Sequence, residues 1–135
     1  MTQTHIHTLL ADSRYIAVVG LSDKPYRMSY QIAETLQYYG YEIFPVNPAI
    51  TQWKDIPAYP DLLSLPSPID IVNVFRRSEH LAGIVEEAIA IGARAIWTQL
   101  GVVDHTAAAR AEAAGLHMVM NRCIAVERAR LPQAP

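Results

Sequence analysis

The fold of this chain is decided by the stretch Tyr15-Ile16-Ala17-Val18-Val19-Gly20. Its residues before the glycine are apolar almost without interruption, and they lack the alternation of polar and apolar residues that a half-exposed strand shows. A strand that is covered on both faces, as in a parallel sheet, has this pattern. The stretch therefore predicts a buried parallel strand, which requires helices on both sides of the sheet.

Four further apolar runs predict the other strands, at residues 42–46, 70–75, 93–97 and 116–120. Pro45 removes a backbone donor from the second of the five strands, so we place it near the end of that strand, where pairing lapses. The proline-rich segment 49–68 is predicted to be irregular, with a small edge strand near Ala58–Tyr59 and one helical turn near residues 61–65.

Three predicted helices separate these strands. The first carries one apolar stripe, formed by Met28, Ile32, Leu36 and Tyr39. The second and third begin at Ser78 and Asp104, whose side-chain oxygens suit the N-cap position. Each of the three helices is followed by a glycine that can end it, namely Gly40, Gly92 and Gly115. A last helical turn is predicted within residues 121–131.

Strands that alternate with helices of this length form right-handed crossovers and a parallel sheet. The sequence therefore predicts one Rossmann-type α/β domain over residues 1–135, a doubly wound, mainly parallel sheet of about five strands with helices on both faces. The 135 residues are 51% hydrophobic and 18% charged, which is the composition of one ordinary globular domain.

Charge and cysteine content exclude several classes of function. A formal net charge of −2 gives no general attraction to nucleic acid or to an anionic membrane, and no apolar run approaches the roughly 18 residues of a membrane span. Residues 1–13 do not have the pattern of a signal peptide. The single cysteine, Cys123, fits a reducing compartment, so we expect a cytoplasmic protein. A protein partner or a homo-oligomer stays open.

The topology selects the candidate site before any motif does. In a doubly wound sheet, ligands bind outside the carboxyl ends of the strands, at the point where the strand order reverses. Five segments lie at these ends, namely residues 20–29, 46–48, 75–78, 98–101 and 121–123.

The loop after the first strand has the groups that an anion requires. Gly20 allows a sharp turn and a close approach of a ligand to the main chain. Ser22 and Ser29 supply hydroxyl donors, and Lys24 and Arg27 supply positive charge. The helix that begins near Met28 directs unpaired N–H groups to the same place. The loop is therefore predicted to bind a diphosphate, the alternative being a solvated loop with two surface charges.

The loop matches neither of two common nucleotide motifs. It is not Gly-x-Gly-x-x-Gly and it is not a Walker loop. The second strand ends in Val46-Asn47-Pro48, without the acidic residue that binds the ribose of a nicotinamide dinucleotide. This weakens the prediction of a dinucleotide ligand without excluding it.

Five motifs in order, each at the carboxyl end of a predicted strand, resemble the small CoA-binding proteins. They are Gly20-x-Ser22-x-Lys24-Pro25-x-Arg27-x-Ser29, Pro45-Val46-Asn47-Pro48, Asp70-x-Val72-x-Val74-Phe75-Arg76-Arg77-Ser78, Trp97-x-Gln99-Leu100-Gly101 and Asn121-Arg122-Cys123. That family's domain is similar to the CoA-binding domain of the succinyl-CoA synthetase α subunit. The resemblance spans residues 16–131.

The resemblance implies that CoA lies across the strand ends and divides the candidate residues by the part of the ligand they would contact. Those at the diphosphate would be Gly20, Ser22, Lys24 and Arg27. Those that border the adenosine would be Asn47 and Pro48. Those along the nucleotide would be Phe75, Arg76 and Arg77, and those near the pantetheine would be Gln99 and Gly101.

The resulting hypothesis is a module that binds CoA or an acyl-CoA without chemistry of its own, because no nucleophile, base or metal cluster accompanies the anion loop. An NAD(P)-dependent oxidoreductase or redox sensor on the same fold is one alternative. A subunit that docks to an enzyme according to its CoA occupancy is another. Trp97 is expected in the core, and Cys123 is expected to be a buried, inert thiol rather than a partner of the CoA thiol.

Overall fold

A computed structural model describes residues 2–132 and contains a central sheet of five parallel strands. Met1 and residues 133–135 of the predicted domain lie outside the described residues. The central strands are β1 (Tyr15–Val19), β2 (Glu42–Val46), β5 (Ile71–Val74), β6 (Ala95–Thr98) and β7 (His117–Val119). A small antiparallel hairpin consists of β3 (Gln52–Trp53) and β4 (Ile56–Pro57).

Five helices accompany these strands within residues 2–132. They are α1 (Gln3–Asp12), α2 (Met28–Tyr38), α3 (Leu81–Ala90), α4 (His105–Ala113) and α5 (Ile124–Ala129). Two short 3₁₀ turns occur at Leu62–Ser64 and Ser78–His80. Within the described part of the chain, no helix has both the length and the apolar character needed to cross a membrane.

The order of the strands in the sheet is β2-β1-β5-β6-β7, with every neighbouring pair parallel. The chain builds β2 on one side of β1 and then places β5 on the other side. The strand order therefore reverses between β1 and β5, which puts the predicted ligand edge at their carboxyl ends. The predicted fold class, a doubly wound α/β domain with about five strands, is confirmed.

Side chains that alternate along each strand cover the sheet on both faces. Ile16 and Val18 face the core shared with α1, α2 and α5. Ala17 and Val19 face the core shared with α3 and α4. Because both faces are buried, all of these strand residues are apolar, and each larger aliphatic side chain contributes roughly 1.5–3 kcal/mol.

Pro45 lies inside β2, and its pairing does not lapse as predicted, because its Cα is in register with Val18. Its carbonyl accepts a hydrogen bond from the Tyr59 amide (2.9 Å), on the side away from β1. The nitrogen of an extended residue points to the same side as its carbonyl. Since β2 is the edge strand, the missing N–H takes nothing from the central ladder.

The helix α1 was not predicted. Thr2 caps it, with its side chain accepting a hydrogen bond from the His5 amide, and Ile6, Leu9 and Leu10 are buried against the sheet. The spacing of these three residues is that of one helical face, so a signal was present. It is short, and it lies in a segment that we considered only as a targeting signal.

The hairpin β3–β4 was also not predicted. Its two turn residues, Lys54 (φ 49°) and Asp55 (φ 66°), both have positive φ, as a two-residue turn of this kind requires. The predicted edge strand at Ala58–Tyr59 is reduced to one bridge between Tyr59 and Val46. The predicted turn near residues 61–65 is confirmed, and Asp61 caps it.

One predicted helix cap is wrong and another is confirmed. Ser78 does not cap α3; its Oγ accepts from the Val103 amide (2.9 Å) and so binds the loop after β6. Asp104 caps α4 as predicted, accepting from the Ala107 amide (3.0 Å). The sequence pattern could not separate the two cases, because a serine at such a position serves either its own helix or a neighbouring loop.

Candidate functional site

The loop after β1 turns at Gly20, which has a φ of +86°. Its amide donates to the Val46 carbonyl (2.8 Å), so the ladder with β2 continues one residue beyond the strand. A Cβ at this position would lie 3.0 Å from the Phe75 carbonyl oxygen and 3.0 Å from Arg76 Cδ. Glycine is therefore required here both by the backbone angle and by the close approach of the β5 loop.

Two hydroxyls fold the rest of this loop. The Ser22 amide donates to Ser29 Oγ (3.0 Å), and the Lys24 amide donates to Ser22 Oγ (3.1 Å). The Arg27 amide donates to the Lys24 carbonyl (3.0 Å). Each hydroxyl accepts one hydrogen bond and keeps its own O–H as a donor. The predicted donors Ser22 and Ser29 therefore also fix the loop on which the two cations stand.

The helix α2 begins directly behind this loop, and its N-terminus is not capped by a side chain. Arg27 occupies the N-cap position without a side-chain hydrogen bond, and the first turn holds no acidic residue. The first amide with a partner inside the helix is that of Gln31, which donates to the Arg27 carbonyl (3.2 Å). The preceding N–H groups and the positive end of the helix dipole are left for an anion.

These groups surround a cleft of about 560 Å³, which we call the first cleft. Its lining is Gly20, Ser22, Asp23, Lys24, Tyr26, Arg27, Met28, Ser29, Asn47, Ala49, Ile50 and Phe75. Lys24 and Arg27 bring two positive charges, and Asp23 brings one negative charge. The Lys24 ammonium is 4.0 Å from the Asp23 carboxylate, and both are exposed, so solvent weakens this ion pair. The cleft is cationic on balance.

Asn47 joins the ends of β1 and β2. Its Nδ2 donates to the Leu21 carbonyl (3.0 Å), and its Oδ1 accepts from the Ala49 amide (2.8 Å). Its side chain thus holds the loop after β1 against the loop after β2. Each end of the Asn47 amide makes one hydrogen bond, so its second N–H and the second lone pair of its oxygen are left for the predicted contact with a ligand.

A second cleft of about 270 Å³ opens on the other side of the β2 end. Its lining is Val19, Val46, Pro48, Pro60, Asp61, Leu62, Arg76, His80, Gly83, Ile84 and Glu87. Two of the predicted site residues, Pro48 and Arg76, belong to it. Its floor is aliphatic and its rim is charged, with Glu87 Oε1 accepting from the Leu62 amide (2.9 Å).

The remaining predicted residues line neither cleft. Arg77 is exposed and lies 3.6 Å from the Glu79 carboxylate. Gln99 is buried, and its Nε2 donates to Asn73 Oδ1 (2.7 Å). The Gly101 amide donates to Asn121 Oδ1 (2.8 Å), which anchors the loop after β6. These three positions lie along the carboxyl edge, beyond the two clefts.

Apart from Val46, Pro48 and Arg76, the residues of the second cleft were not indicated as site residues by the sequence. A signal existed, because His80, Gly83, Ile84 and Glu87 follow one another at the spacing of a helical face. The spacing identifies a common face and not its exposure. Asp61 comes from the 3₁₀ turn at residues 62–64, whose position against α3 is set by tertiary packing.

Within residues 2–132 no three His, Cys, Asp or Glu side chains come close enough to hold a metal ion. Cys123, which was expected to be buried, is only half-buried, because it lies in the loop just before α5. Trp97 belongs to the core as predicted, with its indole N–H donating to the Arg122 carbonyl (2.8 Å). Among the described residues, the groups suited to a ligand include those of the first cleft, where Lys24, Arg27 and the uncapped start of α2 could attract an anion.

A family model described as "CoA binding domain" matches residues 14–129. The chain belongs to this family of CoA-binding domains. The predicted resemblance to the small CoA-binding proteins is thereby confirmed, and the match covers the loop after β1 together with every strand of the central sheet.

Two further proteins are similar to this chain over nearly its full length. An uncharacterized protein of Bacillus subtilis (strain 168), YneT, is 42% identical over 128 residues, which cover 95% of each chain. A hypothetical protein from Pyrococcus horikoshii OT3 is 34% identical with a TM-score of 0.94, covering 97% of this chain and 92% of its own.

The same fold also occurs inside a larger protein. The dinucleotide-forming acetyl-coenzyme A synthetase 1 of Ca. Korarchaeum cryptofilum has a TM-score of 0.67 at 22% identity. The match covers 77% of this chain and 25% of the synthetase chain. At this identity the similarity shows the fold alone.

Proposed function

We propose that the protein binds CoA or an acyl-CoA with the diphosphate in the first cleft, and that it acts as a non-catalytic binding or regulatory module. The observation that carries this proposal is the uncapped N-terminus of α2 beside Lys24 and Arg27, at the switch point of a CoA-binding domain. The helix end contributes roughly 0.3–1 kcal/mol for an anion. The two cations and the serine hydroxyls supply most of the remaining affinity.

We assign the adenosine part to the second cleft, beside Pro48. Its floor of Val19, Val46 and Ile84 suits an aromatic base. The carboxylates of Asp61 and Glu87 can accept hydrogen bonds from an exocyclic amino group. Arg76, on the same rim, supplies positive charge for a phosphate on the ribose. The two clefts adjoin at residues 46–48, so one nucleotide can occupy both.

We assign the pantetheine arm to the opposite direction, from Phe75 toward Gln99 and Gly101. Arg77 is exposed near this path, and an anionic group of a ligand could replace Glu79 as its ion-pair partner. The loops beside the end of the arm carry one thiol, that of the half-buried Cys123, and within residues 2–132 it has no hydrogen-bonded base. This supports a role in holding or sensing the coenzyme rather than in transferring its acyl group.

Isothermal titration calorimetry with CoA, acetyl-CoA and NADH tests the proposal, after native mass spectrometry of the purified protein to detect a ligand that is already bound. We expect heat with CoA or acetyl-CoA and none with NADH. Binding of NADH without binding of CoA would overturn the proposal in favour of the nicotinamide alternative. If the module regulates an enzyme, the set of proteins that co-purify with it in the cytoplasm should change when CoA is added.

A further inference from the structure

A pair of buried side-chain amides lies behind the candidate site, on the central strands β5 and β6. Asn73 is fully buried, and the Cα atoms of Val18 and Trp97 are its partners in the sheet. Gln99, immediately after β6, is 5% exposed. Its Nε2 donates to Asn73 Oδ1 over 2.7 Å, and its backbone amide donates to the Val74 carbonyl.

Stability of the sheet does not explain this pair. Within residues 2–132, Asn73 Nδ2 has no hydrogen-bond partner. A buried donor without a partner costs free energy, whereas two apolar side chains of similar shape at the same places would cost little or would stabilise the protein. Buried polar groups that lack a partner call for another explanation, and a nearby ligand site is one of them.

The hydrogen bond of this pair leaves the Oε1 atom of Gln99 available to another partner. A glutamine carboxamide has its N–H donors and its carbonyl acceptor on opposite arms of a planar group. Because Asn73 Oδ1 accepts from Gln99 Nε2, Gln99 Oε1 is not used in the pair. Gln99 lies just beyond the end of β6, so this oxygen is available to a hydrogen-bond donor at the carboxyl edge.

The position of the pair matches the coenzyme arm rather than the nucleotide. Gly20 and Phe75 line the first cleft, at the ends of β1 and β5. Gln99 follows the next strand, β6, so it lies two strands from β1, about 10 Å at the usual spacing. The pantetheine arm of CoA carries two amide N–H groups and a hydroxyl within that reach. Each can donate a hydrogen bond to the side-chain carbonyl of Gln99.

We infer that Asn73 is a positioning residue, which holds the Gln99 carboxamide so that its carbonyl oxygen accepts a hydrogen bond from an N–H or O–H of the pantetheine arm. This inference rests on the proposed function. Asn73 touches no ligand itself. Its effect is specific to the arm, so ligands that keep the diphosphate and lack the arm are indifferent to the pair.

The test compares CoA with ADP, which keeps a diphosphate and lacks the arm, on the wild type, on Asn73→Val and on the double variant Asn73→Val/Gln99→Leu. Asn73→Val keeps the Gln99 carbonyl and removes its partner, so we expect this variant to bind CoA more weakly and ADP unchanged, and wild-type CoA affinity in it would overturn the positioning role. The double variant leaves no half-satisfied amide, so we expect its thermal midpoint to equal or exceed that of the wild type. We expect CoA to bind it roughly three- to tenfold more weakly and ADP to bind unchanged. Loss of one neutral hydrogen bond has this size.

The failures of the two proposals are distinguishable. If the wild type does not bind CoA, the proposed function fails and the inference falls with it. If the wild type binds CoA and the double variant binds it equally well, or loses CoA and ADP affinity alike, only the positioning role is overturned. Should the variant not fold, side-chain amide NMR signals of wild-type Gln99 decide. They should shift with CoA and not with ADP, and equal shifts would refute the inference.

Discussion

Gly20 and Gly115 have nearly the same backbone conformation in different surroundings, with φ of +86° and +92°. A Cβ at Gly115 would meet nothing within 4 Å, whereas at Gly20 it would meet the Phe75 carbonyl. We expect Gly115→Ala to cost about 1 kcal/mol for the left-handed backbone. Gly20→Ala should cost about 1–3 kcal/mol more because of the close approach.

Urea denaturation of the two alanine variants measures this difference, and equal losses would contradict it. The comparison also affects how ligand experiments are chosen. A bulkier residue at position 20 first meets the protein's own β5 loop, so Gly20→Val changes the loop as well as any binding. Variants of the two cations test binding more cleanly.

Lys24 and Arg27 are exposed residues that line the first cleft, and within residues 2–132 neither has a strong ion-pair partner. We expect Lys24→Ala and Arg27→Ala each to weaken CoA binding by roughly 1–3 kcal/mol, because each removes a charge-assisted hydrogen bond to the diphosphate. Calorimetry measures the change. Arg110→Ala is the matched control, since Arg110 pairs with Glu86 between α3 and α4. Wild-type affinity in the Lys24/Arg27 double variant would refute the assignment.

For individual residues, the sequence predicted well which ones surround the first cleft. It predicted less well which hydrogen bonds their side chains make. Gly20, Ser22, Lys24, Arg27 and Ser29 come from one continuous loop, so their proximity follows from sequence order. Gln99 was expected near the pantetheine, but its hydrogen bond to Asn73 was not predicted. That contact joins residues 26 positions apart in the sequence. It depends on the register of β5 against β6, which cannot be predicted from either strand's own sequence.

Among the elements, α1 is joined to the start of β2 by a hydrogen bond from a buried phenol. Tyr41, just before β2, donates from its hydroxyl to the Leu10 carbonyl near the end of α1 (2.6 Å). Burial raises the pKa of Tyr41 above its usual value near 10, and the positive charge of Arg128 opposes this rise. The folded state therefore holds the phenol proton more tightly than the unfolded state does.

The sign of the pH dependence follows from that order. The unfolded chain loses the Tyr41 proton first, so this contribution to stability is complete below about pH 10 and falls as the pH rises further. At neutral pH, Tyr41→Phe should cost roughly 1–3 kcal/mol, because it leaves the Leu10 carbonyl without its donor. Above pH 10 the stability difference between the wild type and this variant should shrink.

Urea unfolding at pH 7 and at about pH 11 measures both effects. Tyr38→Phe is the control, because Tyr38 is 87% exposed and the same hydroxyl is removed from water. A Tyr41→Phe variant that behaves like Tyr38→Phe at both pH values would show that the bond to α1 contributes nothing.

The elements were predicted where a signal is both long and local. Residues 71–74 are buried on both faces, and their mainly apolar run indicated this in spite of the polar Asn73. The helix α1 and the hairpin β3–β4 were missed for different reasons. The stripe of α1 is only three residues, and the hairpin turn uses Lys54 and Asp55 rather than the glycine-containing pairs that mark such turns. Tertiary packing stabilises both elements.

For the molecule as a whole, ligand binding should appear as thermal stability. CoA at about a hundred times its Kd should stabilise the folded state by about 2.7 kcal/mol, which raises Tm by roughly 8–12 °C in a domain of this size. Because two cations supply much of the affinity, the rise at a fixed CoA concentration should shrink when salt increases.

Differential scanning calorimetry at low and at high salt checks this behaviour. Adenosine, which has no phosphate, is the control, and any rise it gives should be smaller and independent of salt. A CoA-induced rise that ignores salt would place the coenzyme somewhere other than the cationic first cleft.

The strand β2 lies at one edge of the sheet, and Pro45 affects how this edge can pair with another strand. Growth of a parallel or antiparallel ribbon from one molecule to the next needs a row of donors on the outer strand, and position 45 has no hydrogen to give. The Tyr59 amide already takes the carbonyl beside it. Few free donors and acceptors are therefore offered by this edge, so we expect β2 to be a poor template for the addition of a strand from another molecule.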